Sequence, residues 1–308
     1  VLSAGSIMAP VLALMGIDAV TSGSIIAMGA LLGMIAPPVN TAALIICAGI
    51  DVPYVGFEGP LALITFPLAI LFVLLLGYKQ ARHMDYEKLK PALEKQDAIR
   101  KQYGVRIYIP LLVLVALMVI FKVLKLGEDI GMPLMFLISA AVGLFTGKKI
   151  NVLTAVPEAI RTAAPVMGIL MGVGMFIEVM TATGVRGLVV ISCLRLPSTL
   201  WLLACAISIP LFGAVSSYGA CSVLGVPFAY IYASLLGGNS VVVLAAISLI
   251  AAVGDMMPPT ALAGLFAAQV TGVEKYTEIL KRCIVPIIIL LVYACFFLAN
   301  SKLIAGLF

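Results

Sequence analysis

Long apolar runs, separated by short polar turns, occupy most of the chain. A helix that crosses a bilayer needs about 20 mostly apolar residues, and the shorter runs reach that length with flanking small and polar residues. The runs are Ile64–Gly77, Ile107–Val123, Met132–Phe145, Pro165–Met180, Leu200–Val215, Ser240–Gly254 and Ile284–Ala299. This pattern predicts an all-α polytopic membrane protein.

Composition and charge support the same class. Of the 308 residues, 63% are hydrophobic and 11% are charged, and the mean hydropathy is +1.21, whereas soluble domains carry about 25% charged residues. The net charge is +5, and eight of the 19 lysines and arginines fall between Lys79 and Arg106. Membrane orientation explains this charge better than nucleic-acid binding, which we do not expect. The one histidine, His83, lies in the same loop, which argues against histidine-based catalysis or a transition-metal site.

The sequence contains two diverged copies of one repeat. Gly33–Pro38 and Gly254–Pro259 both read Gly-x-x-x-Pro-Pro inside an apolar run. A helix of small residues precedes each copy, and a short apolar run, an acidic turn and a final apolar helix follow it. Further upstream, each copy has a stretch rich in serine and glycine that ends in proline, Ser3–Pro10 and Ser216–Pro227.

Charge indicates how the two copies are oriented. The turn Asp51–Glu58 has two acids and no lysine or arginine, whereas its counterpart Glu274–Arg282 holds Lys275, Lys281 and Arg282. Because positive residues stay on the cytoplasmic side, the equivalent turns are expected on opposite sides of the membrane. This predicts an inverted-topology repeat with discontinuous helices, an architecture of the ion-transporter superfamily type.

The predicted organisation has three parts. Residues 1–78 form the C-terminal part of the first repeat, 79–106 a cytoplasmic linker, and 107–308 the second repeat. Spanning helices are expected at 59–78, 107–123 and 132–146, with an amphipathic segment at 152–164 along the interface. Because the second copy has roughly 110 residues before its Ser/Gly stretch and the first has almost none, we also expect three or four spanning segments to precede Val1.

The paired prolines are the strongest pointer to a site. Each proline removes a backbone donor and breaks the helical ladder, and irregular backbone at membrane depth survives only within protein or along a wet cavity. A plain helix kink is the alternative, but two matched breaks favour a midplane site with free carbonyls and hydroxyls for a cation such as Na⁺. The residues assigned to cation binding are Ser3, Gly5, Ser6, Gly33, Pro37, Pro38, Ser216, Ser217, Gly219, Gly254, Asp255, Pro258 and Pro259. Close helix packing alone could also explain Gly5 or Gly219.

A second set of residues is assigned to the substrate. It comprises Asn40, Thr41, Thr181, Thr183, Gly184 and Thr260, and Asn40 and Thr41 could also contribute to a cation site in the first repeat. The run Gly174–Gly187 is too short for two spans, which predicts a re-entrant hairpin that turns near Thr181–Gly184. Glu178 lies in this run, and a simple ion pair with Arg186 at a helix end remains an equally good account of it.

Three segments resemble the large membrane subunit of tripartite ATP-independent periplasmic (TRAP) transporters: Gly33–Tyr54, Phe212–Pro227 and Ser240–Gly272. The Pro-Pro break followed by a Gly-Ile-Asp type turn is the closest match, and the hairpin run Phe176–Gly187 also fits. The resemblance implies a multi-pass protein of the bacterial inner membrane that imports carboxylates, such as C4-dicarboxylates or sugar acids, by an elevator movement. It implies Na⁺ as coupling ion, with H⁺ possible and no other cofactor. Its partners would be a small membrane subunit, an extracytoplasmic substrate-binding protein and membrane lipid.

Two other functions compete with this one. A stand-alone carboxylate or citrate-type symporter of the same superfamily would share the repeat and work without a binding protein. An intramembrane aspartyl protease would use Asp255, but it needs a second membrane aspartate, and Ala252 stands where its motif requires glycine. The His-Glu-x-x-His motif of zinc proteases is absent from the sequence. We therefore predict a transporter and not an enzyme.

Overall fold

In the computed structural model, all regular secondary structure of the described residues is helical, and turns and irregular segments connect the helices. The described residues are 1–37, 40–82, 90, 94, 101–102, 104–123, 132–146, 151–161, 164, 171, 175, 179, 182–185, 188, 191–192, 195–197, 200–214 and 218–308. The helices are α1 (Leu2–Leu14), α2 (Ala19–Ile35), α3 (Thr41–Gly49), α4 (Glu58–Ala81), α5 (Ile109–Val123), α6 (Met132–Thr146), α7 (Trp201–Gly213), α8 (Tyr218–Tyr230), α9 (Ser240–Ala252), α10 (Leu262–Thr271), α11 (Tyr276–Ala299) and α12 (Ser301–Ala305). The predicted helices at 59–78, 107–123 and 132–146 correspond to α4, α5 and α6.

The chain divides into two compact units. One unit combines Val1–Met84 with Gly168–Phe308, and the other is Asp85–Met167. In the smaller unit α5 and α6 pack side by side, and the Ser139 hydroxyl donates to the Pro110 carbonyl at 2.7 Å. Residues 152–161 are helical, within the predicted amphipathic segment. The boundaries predicted for the repeats and the linker stay a prediction.

Two helices of the larger unit, α4 and α11, are long and apolar enough to cross a bilayer. Each has 24 residues, with a mean hydropathy of 2.5 over its most apolar window. Between them lies α9, in which every residue from Val242 to Ala252 is buried. A helix that is apolar on all sides is expected in the interior, and α9 is the centre of this unit.

The two sequence copies pack against each other reciprocally. The short helix α3 of the first copy packs on α8 and α9 of the second, and the short helix α10 of the second packs on α1 and α2 of the first. Likewise α2 packs on α4 and on α11, while α9 packs on α11 and on α4. Exchanging the copies therefore maps each of these contacts onto another, as in an interface with two-fold symmetry.

Contacts at the helix ends give the direction of each element. The Asp18 amide, at the start of α2, donates to Gln80 Oε1 at the end of α4 at 3.0 Å. The Tyr293 hydroxyl, late in α11, donates to the Leu63 carbonyl, early in α4, at 3.0 Å. Gly238, before α9, packs on Ser301, just after α11. Hence α4 runs opposite to α11, and α2 runs opposite to α9.

The two ends of the larger unit carry different charges. The basic end, where α4 ends and α11 begins, carries Lys79, Arg82, Lys275, Lys281 and Arg282, which outnumber its acids Asp18, Glu274 and Glu278. The acidic end, where α4 begins, carries Asp51 and Glu58.

Candidate functional site

The first Pro-Pro motif separates α2 from α3. Ala36 caps α2 in an extended conformation, with ψ of 148°, as expected for a residue before proline. Helix α3 begins after Asn40, whose side-chain Oδ1 accepts from the Ala43 amide at 3.0 Å. Pro38 lies outside the described residues. The predicted helix break is therefore present, with a capped restart on its far side.

Asn40 also ties the first break to the second copy. Its Nδ2 donates to Ser248 Oγ at 2.7 Å, near the middle of α9, and its backbone amide donates to the Tyr54 hydroxyl at 3.0 Å. The Asn40 side chain is fully buried. Both polar atoms of the amide thus have protein partners, and its predicted substrate role stays a prediction.

The second Pro-Pro motif forms a longer irregular segment. Helix α9 tightens into a 3₁₀ turn, Val253–Met256, which is buried throughout, and α10 starts only after Ala261. Ala261 has a φ of 34°, a left-handed conformation that costs a residue with a Cβ about 1–3 kcal/mol and that clusters at functional sites. Asp255 lies in the 3₁₀ turn and is 6% exposed. A carboxylate thus lies buried within the broken part of the helix.

Thr260 holds this second break against the end of α7. Its hydroxyl donates to the Gly213 carbonyl at 2.9 Å, and its amide approaches the Ala214 carbonyl at 3.4 Å. Pro258 and Pro259 are exposed, and the Pro259 carbonyl lies 3.5 Å from the Tyr276 hydroxyl. Thr260 was predicted to bind substrate; its hydroxyl has a protein partner here, and the substrate role stays a prediction.

Glycines allow α7, α8 and the second break to touch. A Cβ on Gly213 would collide with the Cα of Gly254, and a Cβ on Gly254 would lie 2.5 Å from Cys221 Sγ. The equivalent Gly33 is exposed and has nothing within 4 Å of such a Cβ. Close packing therefore accounts for Gly254 at the second break, and the surroundings of the two breaks differ.

The Ser/Gly stretches are placed only in part. Ser3, Gly5 and Ser6 lie in the first turns of α1, and a Cβ on Gly5 would lie 2.9 Å from the Val270 side chain, as the packing account of this glycine expects. Gly219 lies in the first turn of α8 and is half-buried. The side chain of Ser3 and all of Ser216 and Ser217 lie outside the described residues, so their predicted cation roles stay predictions.

The hairpin region is described at a few positions. Gly184 has a φ of 75° and forms a turn with Thr183, whose hydroxyl donates to the Val179 carbonyl at 2.8 Å. This turn lies where the sequence predicted one. Thr181, Glu178 and Arg186 lie outside the described residues, and the re-entrant course stays a prediction.

The remaining predicted residues flank the first break. Pro37 is half-buried, and Thr41 is exposed in the first turn of α3. Within the described ranges no three His, Cys, Asp or Glu side chains gather in one place. A hard cation prefers oxygen ligands, and the cation-binding roles assigned to the residues at the two breaks stay predictions.

Sequence reasoning missed a polar cluster at the basic end. Asp18 caps α2 through the Thr21 amide at 2.9 Å and the Thr21 hydroxyl at 2.7 Å, and Gln80 Nε2 also donates to its carboxylate. Burial raises the pKa of Asp18, but hydrogen bonds from Thr21 and Gln80 and the nearby charge of Arg282 lower it more, so the pKa lies below its ordinary value. The Asp-x-x-Thr spacing was the signal that could have identified the cap.

Comparison with known proteins identifies a family. Residues 1–301 match the family described as the tripartite ATP-independent periplasmic transporter, DctM component. No curated protein and no solved structure matches the chain.

Proposed function

The chain belongs to the DctM family, the large membrane component of tripartite ATP-independent periplasmic transporters, and from this membership we propose that it imports small organic anions by Na⁺ symport. The family makes the chain part of a transporter permease that is integral to the membrane. The class of substrate, the coupling ion and the dependence on a binding protein are our proposals.

The single observation that best supports this function is the pair of broken helices. In each copy a helix stops at a Pro-Pro motif and restarts after it, as α2–α3 and as α9–α10. The reciprocal packing supports a pseudo-two-fold relation, and the opposite directions of α2 and α9 support an axis in the membrane plane. Such inverted repeats place the substrate and ion sites where discontinuous helices meet near the midplane.

The proposed coupling site lies around the second break. Na⁺ favours oxygen ligands, and the break combines the buried Asp255 carboxylate with carbonyls that are freed from the helical ladder. We place Ser216, Ser217 and Gly219 at the same site because Thr260 ties the second break to Gly213 and Ala214, which directly precede that segment. Proton coupling through Asp255 is the alternative.

The proposed substrate is a carboxylate, handed over by an extracytoplasmic binding protein. The family description supports a three-part system, and thereby favours this reading over a stand-alone symporter. Helix α4 offers exposed apolar side chains along its length, among them Phe66, Ile70 and Val73 at 56%, 64% and 56% exposure. Such a surface suits lipid or an apolar face of the small membrane subunit.

The test is uptake by proteoliposomes that contain the permease with its small subunit and the binding protein. We expect a radiolabelled C4-dicarboxylate or sugar acid to accumulate when a Na⁺ gradient is imposed and when the binding protein is present. Uptake that follows a proton gradient without Na⁺ would show that H⁺ is the coupling ion. Full uptake without the binding protein would support the stand-alone symporter instead.

A further inference from the structure

A cavity opens at the acidic end, where α11 stops. Its volume is about 360 Å³, and its apolar wall is formed by Tyr232, Leu236, Leu298 and Leu303. Tyr232 belongs to a π-helical turn, Ile231–Leu235, that follows α8, and such turns are frequent at functional sites. Because α11 is an apolar helix of 24 residues, its end lies at the depth where hydrocarbon gives way to lipid headgroups.

One polar group in the cavity lacks a partner. The Ser301 side chain lines the cavity and is 5% exposed, and its hydroxyl, which opens on the cavity, forms no hydrogen bond with another described residue. A hydroxyl that opens on a cavity can donate to a ligand there. The backbone comes close here as well, since a Cβ on Gly238 would lie 2.7 Å from Ser301 Oγ. A ligand that accepts a hydrogen bond would satisfy this donor.

A cation lies next to this hydroxyl. Lys302 lines the same cavity, and its Nζ would lie 3.6 Å from a Cβ on Gly237, so the missing side chain of the glycine leaves space around the ammonium. Lys302 forms no ion pair with the part of the chain that the structure describes. Basic residues that orient a protein in the membrane lie on the cytoplasmic side. The turn Asp51–Glu58, at the same end as Lys302, has no lysine or arginine, so membrane orientation does not explain why a lysine lies at this end.

We propose that this cavity binds an anionic phospholipid of the extracytoplasmic leaflet. The lipid phosphate accepts a hydrogen bond from the Ser301 hydroxyl and lies against the Lys302 ammonium, while an acyl chain follows the apolar wall at Leu298 and Leu303. The apolar wall distinguishes a lipid from free phosphate, which would gain nothing from it. The depth of the cavity favours a lipid over an acidic side chain of a soluble partner.

The test is native mass spectrometry of the purified permease with its small subunit, titrated with phosphatidylglycerol, with phosphatidylcholine and with inorganic phosphate. We expect phosphatidylglycerol to bind most tightly. Lys302→Gln should weaken its binding about fivefold, as one lysine near a lipid surface contributes, and Ser301→Ala should weaken it by about the same factor through the lost hydrogen bond. Lys302→Arg should retain tight binding.

Lys281→Gln is the matched control, because Lys281 is an exposed lysine of α11 at the basic end. It should leave this binding unchanged, and thermal unfolding should confirm that every variant is folded. Equal phosphatidylglycerol binding by the wild type and Lys302→Gln would overturn the proposal. Inorganic phosphate that binds as tightly as phosphatidylglycerol would also overturn it. So would protection of Lys302 from chemical modification by the binding protein in the absence of lipid.

Discussion

Asn40 joins the two broken helices through one side-chain amide. Its Oδ1 caps α3, and its Nδ2 reaches Ser248 in α9, 208 positions away in the sequence. Ser248 in turn donates to the Ala245 carbonyl at 2.8 Å. The first break is therefore fixed to the centre of the fold by a buried polar contact, and its geometry depends on an amide at this position.

Replacing Asn40 by alanine should lower stability more than replacing a cap without this cross-link. The lost cap costs about 1 kcal/mol, and an interhelical hydrogen bond in membrane proteins adds about 0.6 kcal/mol on average. The control is Asn239→Ala, since Asn239 is exposed and caps α9 through Val242 at 3.1 Å. Thermal unfolding in detergent, with Ser248→Ala in a double-mutant cycle, measures the difference. Equal losses for the two asparagines and zero coupling to Ser248 would show that the cross-link contributes nothing.

The sequence could identify Asn40 and Thr260 as polar residues beside helix breaks, but not their contacts. A motif shows which side chains are near the prolines along the chain. It does not show that Ser248 faces Asn40 or that Gly213 faces Thr260, because those contacts depend on how α9 and α7 pack. Because the sequence does not show these contacts, the Thr260 hydroxyl and the Asn40 amide were both assigned to substrate binding.

At the scale of elements, Asp18 connects the start of α2 to the end of α4. The hydrogen bonds from Thr21 and Gln80 stabilise the ionised carboxylate, so its pKa is lower in the folded protein than the ordinary 3.8. A group with a lowered pKa contributes stability above its unfolded pKa, and this contribution is lost as the pH falls through the folded value. The connection should therefore weaken only in acid.

We expect Asp18→Asn to remove part of the acid sensitivity of the fold. The wild type should lose thermal stability as the pH falls from about 5 to about 3, across and below the ordinary range of an aspartate, and the variant should lose less over that range. Asp51→Asn, at the acidic end, is the control, because Asp51 is an exposed carboxylate outside this cluster. Identical pH profiles for the wild type and Asp18→Asn would contradict the role given to the cluster.

The glycines of the two Pro-Pro motifs provide a second comparison of elements. Gly254→Ala should destabilise the protein, because the new Cβ meets Cys221 Sγ at 2.5 Å and Gly213 Cα at 3.1 Å. Gly33→Ala should be neutral or stabilising by up to about 1 kcal/mol, since alanine is the better helix former and nothing lies within 4 Å of its Cβ. Thermal unfolding of both variants decides this, and a larger loss for Gly33→Ala would mean that the surroundings assigned to the breaks are wrong.

The pattern of apolar runs predicted the long helices well, and it was less informative at the Pro-Pro breaks and the Ser/Gly stretches. Helix α4 extends from Glu58 to Ala81 where 59–78 was predicted, because a long apolar run with charged ends fixes its own limits. The sequence favoured a ligand site at the Ser/Gly stretches, with close helix packing as the alternative for Gly5 and Gly219. The structure places Ser3, Gly5 and Ser6 within α1, and their cation roles stay predictions.

At the scale of the whole molecule, charge and packing agree on the relation between the copies. The contacts of Asp18 with Gln80 and of Tyr293 with Leu63 set equivalent helices in opposite directions. Lysine and arginine then outnumber the acids at the basic end, where Asp18, Glu274 and Glu278 also lie, whereas the acidic end carries Asp51, Glu58 and Lys302. The inverted-repeat relation predicted from the charge stays a prediction, and the reciprocal packing of α3 and α10 depends on three-dimensional contacts that no local pattern encodes.

The orientation can be tested by labelling single cysteines in a variant that lacks the six native ones. Lys281→Cys at the basic end should react with a membrane-impermeant maleimide only after the cells are opened, because positive residues stay in the cytoplasm. Asp51→Cys should react in intact cells from the periplasmic side. Labelling of both positions from the same side would contradict the opposed ends, and the reverse pattern would invert the proposed topology.

The central claim is that import is coupled to Na⁺ binding at the second break. The most direct test measures the Na⁺ dependence of uptake by the Asp255→Asn permease with its partners in proteoliposomes. The buried carboxylate should offset the cost of holding a cation in a low-dielectric site, so this variant should need more Na⁺ for half-maximal uptake, while Asp51→Asn should match the wild type. If Asp255→Asn leaves the Na⁺ dependence unchanged while Asp255→Leu unfolds the protein, Asp255 is a structural residue of the 3₁₀ turn and the coupling site lies elsewhere.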